Sequence, residues 1–297
     1  MRGFDRFVTV VALAASSSLT LSSQTPDATA VLAAAREALG GEKKLAAVKT
    51  FIANGRTRQV RGNNLVPIEF EMNCELPDKF VRKDDFPAQD TDPTTVGFNG
   101  DTLIQFPLQP GRGGAPGRGG PPPGGREGAT PPPGREGGSP PSNAGRAGGP
   151  PGPNAGRGGA PVPRIVGVKQ DFARLMLGLF ASSFPSYPLT FKYAAVGEAP
   201  EGKADILEVA GPANFQARFV VQQATHLPVM LMWQAPAPQQ PTPVEHRMYY
   251  ADFRDVDGLK LPFRIRRAVA GETVEETTFD RFRINAKIDP RKFEAPK

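Results

Sequence analysis

The sequence of 297 residues contains one cysteine, two histidines and one tryptophan. With Cys74 alone, no disulfide can form within the chain. Cys74 belongs to an alternating apolar series that runs from residue 66 to 76, so we predict a buried apolar side chain and not a reactive thiol. The histidines, His226 and His246, stand on separate segments without a nearby cysteine or paired carboxylate motif, and the sequence therefore predicts no metal site.

Motifs of catalysis and of phosphate binding are also missing. There is no Gly-x-Ser-x-Gly elbow, and no glycine-rich loop leads from a strand into a helix. The acidic residues Asp252, Asp255 and Asp257 lack the regular spacing and the closing glutamate of a calcium loop, and an Asp-Gly turn explains them. We therefore predict no cofactor and no enzyme. An enzyme of unknown mechanism is the least favoured alternative, because it would need titratable groups clustered in a pocket.

The segment 109–163 has no aromatic residue, yet it holds 19 of the 33 glycines and 15 of the 33 prolines. Such a composition cannot bury enough apolar surface to offset the entropy of ordering, which predicts a disordered Gly/Pro/Arg-rich insertion. The segment also carries much of the net charge of +6, so the remaining chain is nearly neutral. Arg-Gly-Gly triplets can bind RNA, but without aromatic partners we predict no nucleic-acid binding.

The N-terminal residues indicate export. Two arginines precede an apolar run from residue 7 to 15 and a stretch of small residues, a pattern typical of a signal peptide over residues 1–23. A lipoprotein would need a cysteine at the cleavage point, and none is there. We therefore predict a soluble periplasmic or secreted protein that is peripheral to the membrane at most.

The remaining segments, 24–108 and 164–297, are predicted to form one α+β domain interrupted by the insertion. Asp27 can cap a first helix that ends at Gly40-Gly41. Residues 169–184 predict a second helix, with an apolar stripe from Phe172 to Phe180 and with Arg174 off that stripe. Alternation predicts strands over residues 66–76, 189–195, 215–221, 244–250 and 259–265, and Asp257-Gly258 predicts a hairpin turn. We expect roughly nine to eleven strands and two main helices in a large sheet.

The stretch THLPVMLMW, Thr225 to Trp233, does not alternate. Four successive residues, 229–232, are apolar, which predicts a strand covered on both faces. One side would meet a helix, and the other would meet either a packed core or a ligand-filled interior lined by methionine side chains. The sequence leaves both alternatives open.

Several longer segments resemble one superfamily. The sequence VLAAAREALGGEKKLAAVKTFIANGRTR resembles the helix, double glycine, short helix and first strand of LolA-like periplasmic proteins, which include outer-membrane lipoprotein carriers. FQARFVVQQATHLPVMLMW is similar to paired strands of that superfamily, and YYADFRDVDGLKLPFRIRRAV with FDRFRINAKIDPRKFEAP is similar to its hairpin and terminal segment.

This resemblance implies an unclosed, half-barrel-like antiparallel sheet whose hollow face is capped by helices and encloses an apolar cavity for acyl chains. The Gly/Pro/Arg-rich insertion is not part of the usual pattern. In true carriers an arginine latches the lid of the cavity, and Arg56 or Arg58 on the first strand is a positional candidate. A solvated strand arginine is the favoured alternative for both.

Two hypotheses for function follow. In the first, the exported domain holds a lipid or a lipoprotein acyl chain in its cavity, as in outer-membrane lipoprotein sorting, with the helix Phe172 to Phe180 as the candidate lid. In the second, the core is filled and the domain is a non-enzymatic interaction or sensor module for an envelope protein. The candidate apolar lining or lid consists of Phe172, Leu175, Met176, Leu179, Phe180, Phe215, Phe219, Met230, Leu231, Met232 and Trp233.

Overall fold

The computed structural model describes residues 27–62, 64–107, 163–199, 202–237 and 242–294. The predicted signal peptide 1–23, and the predicted insertion 109–163 except its last residue, lie outside the described residues. The helices in the described part of the chain are α1 (Ala28–Ala38), α2 (Glu42–Ala46), α3 (Arg164–Phe180) and a 3-10 helix (Pro290–Phe293). The strands are β1 (Thr50–Arg61), β2 (Asn64–Glu75), β3 (Lys79–Asp85), β4 (Thr94–Asn99), β5 (Thr102–Phe106), β6 (Thr190–Ala199), β7 (Gly202–Gly211), β8 (Phe215–Gln222), β9 (Pro228–Ala235), β10 (Val244–Val256), β11 (Leu259–Val269) and β12 (Glu272–Ile284).

The described strands form one antiparallel sheet of twelve strands in the order β5-β4-β3-β2-β1-β12-β11-β10-β9-β8-β7-β6. The pairing of β1 with β12 joins the part of the chain before the insertion to the part after it. Because β5 and β6 stand at opposite ends of this order, the sheet is not closed. The predicted unclosed antiparallel sheet with few helices is thus confirmed, although the expected number of strands was too small.

The sheet curves around α3. This helix contacts β4 and β5 near one end of the strand order and also β9 and β11 further along it. A flat sheet with strands about 4.8 Å apart could not bring such distant strands to a single helix. The concave face therefore wraps the helix, and α3 divides the space inside.

Alternation explains why these segments form strands with one buried face. In β2, Ile68, Phe70, Met72 and Cys74 are buried at every second position. Cys74 is fully buried, as predicted, and burial raises the pKa of its thiol well above its usual range. Between β10 and β11, Asp257 and Gly258 have φ values of 55° and 77°, which confirms the predicted hairpin turn.

The two predicted helices both form, with shifted ends. Asp27 occupies the position before α1 but makes no side-chain cap hydrogen bond. The helix α3 begins at Arg164, five residues before the predicted start, and ends where Ala181 adopts a left-handed conformation with φ of 46°. None of the helices in the described part of the chain has the length and apolarity that crossing a bilayer requires.

Candidate functional site

The predicted apolar stripe of α3 lies in a solidly packed core. Phe172 is 1% exposed, and its ring centroid lies 5.2 Å from that of Phe98 and 5.5 Å from that of Phe80. Phe180 contacts Phe51 with a centroid distance of 6.0 Å. The other members of the stripe, Leu175, Met176 and Leu179, are buried in the same core. Aromatic side chains thus fill the space between this face of α3 and strands β1, β3 and β4.

The N-terminal part of α3, up to Arg174, faces open space on a second side of the helix. A cavity of ≈ 1170 Å³, partly open to solvent, lies between the helix and strands β6 to β9. Its volume is slightly above the range of about 300–1,000 Å³ for small-molecule sites. The apolar side chains of the lining include Val168, Phe191, Val209, Phe215, Met232 and Trp233.

The predicted site residues are divided between these two regions. Phe215, Met232 and Trp233 line the cavity. Phe219 and Leu231 are fully buried in the core together with the apolar stripe of α3. Met230 lines a smaller pocket of ≈ 330 Å³, which it shares with side chains of β10 and β11.

These positions answer the question raised by the stretch 225–233. Leu231 and Trp233 are buried beneath the sheet, whereas Met230 and Met232 are half-buried. The stretch is apolar at successive positions because Leu231 lies in the core and Trp233 borders both the core and the large cavity, while Met230 and Met232, at the alternate positions, also border pockets.

The sequence pattern places Arg174 off the apolar stripe of α3. Its side chain is nevertheless only 9% exposed, and it lines the cavity. Its guanidinium carbon lies 4.5 Å from the ring centroid of Trp233 and 5.1 Å from that of Phe215. These cation–π contacts hold the side chain against the sheet.

The guanidinium of Arg174 is only partly satisfied. Its Nη1 donates to Oδ1 of Asp171 at 2.8 Å, and its Nη2 makes a long hydrogen bond of 3.5 Å with Gln170. The Nε is buried and has no hydrogen-bond partner among the described residues. Burial lowers the pKa of Arg174, and the neighbouring carboxylate of Asp171 opposes that shift. An arginine is so strongly basic that the side chain still remains a cation at neutral pH.

His246 lies beside this group. Its ring stacks on Trp233 with a centroid distance of 5.4 Å, and its Nε2 is buried without a hydrogen-bond partner among the described residues. Burial lowers the pKa of His246, and the charges of Arg267 and Arg174 lower it further. The imidazole is therefore neutral at pH 7. Trp233, which lines the cavity, therefore contacts both a fixed cation and a neutral ring.

Tyr250 and Gly178 set how closely α3 approaches the sheet. The hydroxyl of Tyr250 donates to the backbone oxygen of Arg174 at 2.7 Å, and a Cβ at position 178 would overlap the Tyr250 ring. Gly167, Asp171, Arg174 and Gly178 recur at intervals of four, three and four residues, so they share one helical face. This small and polar stripe is the sequence signal that could have located the cavity side of the helix.

The positional candidates for a latching arginine are elsewhere. Both Arg56 and Arg58 are exposed, and Arg56 pairs with Asp280 at 3.0 Å. Neither lines the cavity. Among the described residues, no group of three or more His, Cys, Asp or Glu side chains converges as metal ligands would.

Comparison with solved structures identifies the fold. The crystal structure of a LolA superfamily protein from Nitrosomonas europaea matches with a TM-score of 0.52 and 13% sequence identity, covering 91% of this chain and 99% of that one. This chain has a LolA-like fold. This match confirms the fold that the resemblance of the N-terminal helices and the later hairpins implied. No protein-family model and no curated protein matches the sequence.

Two other solved structures match this chain with TM-scores of 0.45. A DUF1329 family protein from Desulfovibrio piger is 7% identical, with coverage of 91% of this chain and 98% of that one. A domain named as an outer membrane lipoprotein-sorting protein, from Vibrio parahaemolyticus, is 9% identical, with coverage of 88% and 95%. The cavity offers apolar side chains, polar and charged groups, and the buried guanidinium of Arg174.

Proposed function

We propose that this protein is an exported, non-enzymatic binding protein that holds a lipid or a lipoprotein acyl chain in the cavity between α3 and β6 to β9. The observation that carries the proposal is the cavity of ≈ 1170 Å³, with a partly apolar wall, inside a LolA-like sheet. Its location would be the periplasm or the exterior, after cleavage of the signal peptide. Contact with a membrane would be peripheral, when ligand is taken up or passed on.

Burial of the chain would supply the binding free energy. Each methylene group transferred from water contributes roughly 0.8 kcal/mol, so ten methylenes contribute about 8 kcal/mol. Association costs on the order of 4–15 kcal/mol in lost freedom of motion. At the lower end of that cost the net gain is about 4 kcal/mol, and a chain of this length is then held reversibly, as a protein that passes its ligand on requires.

The N-terminal half of α3 would be the entrance. Residues 164–171 are half-buried or exposed, whereas residues 172–180 are all buried. Arg164, Gly167 and Val168 from the less buried half line the cavity. A local displacement of this half would open the cavity while the aromatic core stays closed.

A substitution that fills the cavity tests the proposal. Gly167 lines the cavity, and a Cβ built there meets no atom within 4 Å, so a side chain can be introduced and we expect the indole of Gly167→Trp to occupy ligand space. We expect this variant to lose uptake of a fluorescent fatty acid by at least about tenfold, which corresponds to 1.4 kcal/mol. The matched control is Ala33→Trp, on an exposed position of α1 outside the cavity. Equal uptake by both variants and the wild type would refute the cavity as the binding site.

A second candidate function is favoured by the packed half of the concave face. The aromatic cluster around Phe172 leaves no room for a ligand on the β1 to β4 side, as expected for an interaction or sensor module that binds an envelope protein. Native mass spectrometry of protein purified from an envelope fraction separates the two functions. A co-purifying lipid or acylated peptide supports the carrier. An apo mass together with no fatty-acid uptake supports the module.

A further inference from the structure

From the placement of Arg174 we infer that the ligand is an anionic amphiphile, whose carboxylate or phosphate head group binds the Arg174 guanidinium while its chain lies along the apolar wall. This inference rests on the proposed function and adds the chemical class of the ligand. The observation behind it is a buried cation at the wall of the cavity, with an N–H donor that has no partner among the described residues.

Arg174 is the buried cation of the cavity wall, since the other cationic side chains of the lining, Arg164, Lys192 and Arg218, are exposed. Two of the acidic side chains on the wall have other cationic neighbours: Glu245 pairs with Arg247, and Glu208 is aligned with Arg218 across β7 and β8. Asp171 is the acidic group bound to Arg174, and its side chain is 66% exposed. A partner so exposed is in contact with water and can be displaced from the guanidinium by a ligand oxygen.

The position of Arg174 also fits an amphiphile and not a free anion. The guanidinium lies against Trp233 and Phe215, and both of these rings line the cavity. An acidic head group bound there would place its first methylenes against aromatic rings. A guanidinium also offers parallel N–H donors that match a carboxylate or a phosphate better than an ammonium does.

Three ligands with the same chain and different heads test this inference: dodecanoate, dodecyl phosphate and dodecanol. Their affinities for the full mature protein are measured by displacement of a fluorescent fatty acid. We expect at least one of the two anions to bind about tenfold or more tightly than the alcohol, because a hydrogen bond to a charged group is worth that ratio or more. A preference for dodecanoate indicates a fatty-acid-like ligand, and one for dodecyl phosphate a phospholipid-like ligand. Equal affinities for all three would overturn the inference.

Substitutions test whether the Arg174 side chain causes the preference for anions over dodecanol. Arg174→Met is expected to remove the preference for the anion while dodecanol still binds. Arg58→Met, at an exposed arginine outside the cavity, is the control that keeps the preference. Asp171→Asn frees the guanidinium and is expected to strengthen anion binding severalfold with no change for dodecanol. A merely structural role of Arg174 would change all three affinities together.

The outcomes separate this inference from the proposed function. If dodecanol and the anions bind equally, and Gly167→Trp blocks all of them, the cavity is a binding site without a head-group anchor. If the wild-type protein binds none of the three, both proposals are wrong. Should Arg174→Met fail to fold by circular dichroism, the wild-type ratio of anion to alcohol and the gain in Asp171→Asn still decide the question.

Discussion

Replacing Phe172 by alanine tests whether the apolar stripe of α3 belongs to the core or to a ligand site. The side chain is 1% exposed, and its ring touches those of Phe98, Phe80 and Phe184 at centroid distances of 5.2, 5.5 and 6.1 Å. Phe→Ala substitutions in cores cost about 3–5 kcal/mol, and the aromatic contacts place this one near the upper end. For a domain of this size, a loss of about 4 kcal/mol lowers Tm by roughly 8–16 °C.

The assay is urea unfolding followed by circular dichroism, with Phe106→Ala as the control. Phe106 is 41% exposed on the edge strand β5, so its loss should change the free energy of unfolding by about 0.5 kcal/mol or less. Fatty-acid uptake by both variants should stay near the wild-type level, since neither residue lines the cavity. A cost below about 1 kcal/mol for Phe172→Ala, combined with weaker uptake, would refute the packed-core assignment and make Phe172 a ligand contact.

Three other expectations follow from the same contacts. Gly178→Ala should destabilise the protein by roughly 1–3 kcal/mol, because the added Cβ would overlap the ring of Tyr250. Gly167→Ala in the same helix should stabilise the protein by about 0.5–1 kcal/mol, because its Cβ meets no atom and alanine favours the helix. Thermal unfolding of both variants measures these changes. Cys74 should react with a thiol reagent only in denaturant, and labelling of the native protein would contradict its burial. The lowered pKa of His246 means that the unfolded chain binds a proton at this side chain more tightly than the folded protein does. The contribution of neutral His246 to stability is therefore complete above pH 6.5 and is lost as the pH falls below that value. A His246→Phe variant should lose this part of the pH dependence of unfolding, and a pH profile identical to that of the wild type would contradict the expectation.

The strands with one apolar face could be predicted from the sequence, and the cavity could not. The alternation of apolar and polar residues predicted β2, β8 and β11, because a strand with one buried face has an apolar side chain at every second position. The cavity depends on what faces α3 from β6 to β9, which are 10 to 70 residues further along the chain. The position of Arg174 illustrates this difference between local periodicity and tertiary packing. It lies off the apolar stripe, but the curvature of the sheet brings Phe215 and Trp233 over that side of the helix.

The core packing of α3 limits how a ligand can enter. As a lid, the helix from Phe172 to Phe180 would have to leave the sheet as a unit, exposing Phe172, Leu175, Met176, Leu179 and Phe180. Each of these buried side chains contributes about 1.5–3 kcal/mol, so their exposure would cost on the order of 8–15 kcal/mol, which is comparable to the stability of a whole domain. Opening of that kind would amount to unfolding. Ligand exchange through the less buried half of α3, residues 164–171, avoids this cost, since the aromatic core remains intact while the cavity opens beside it.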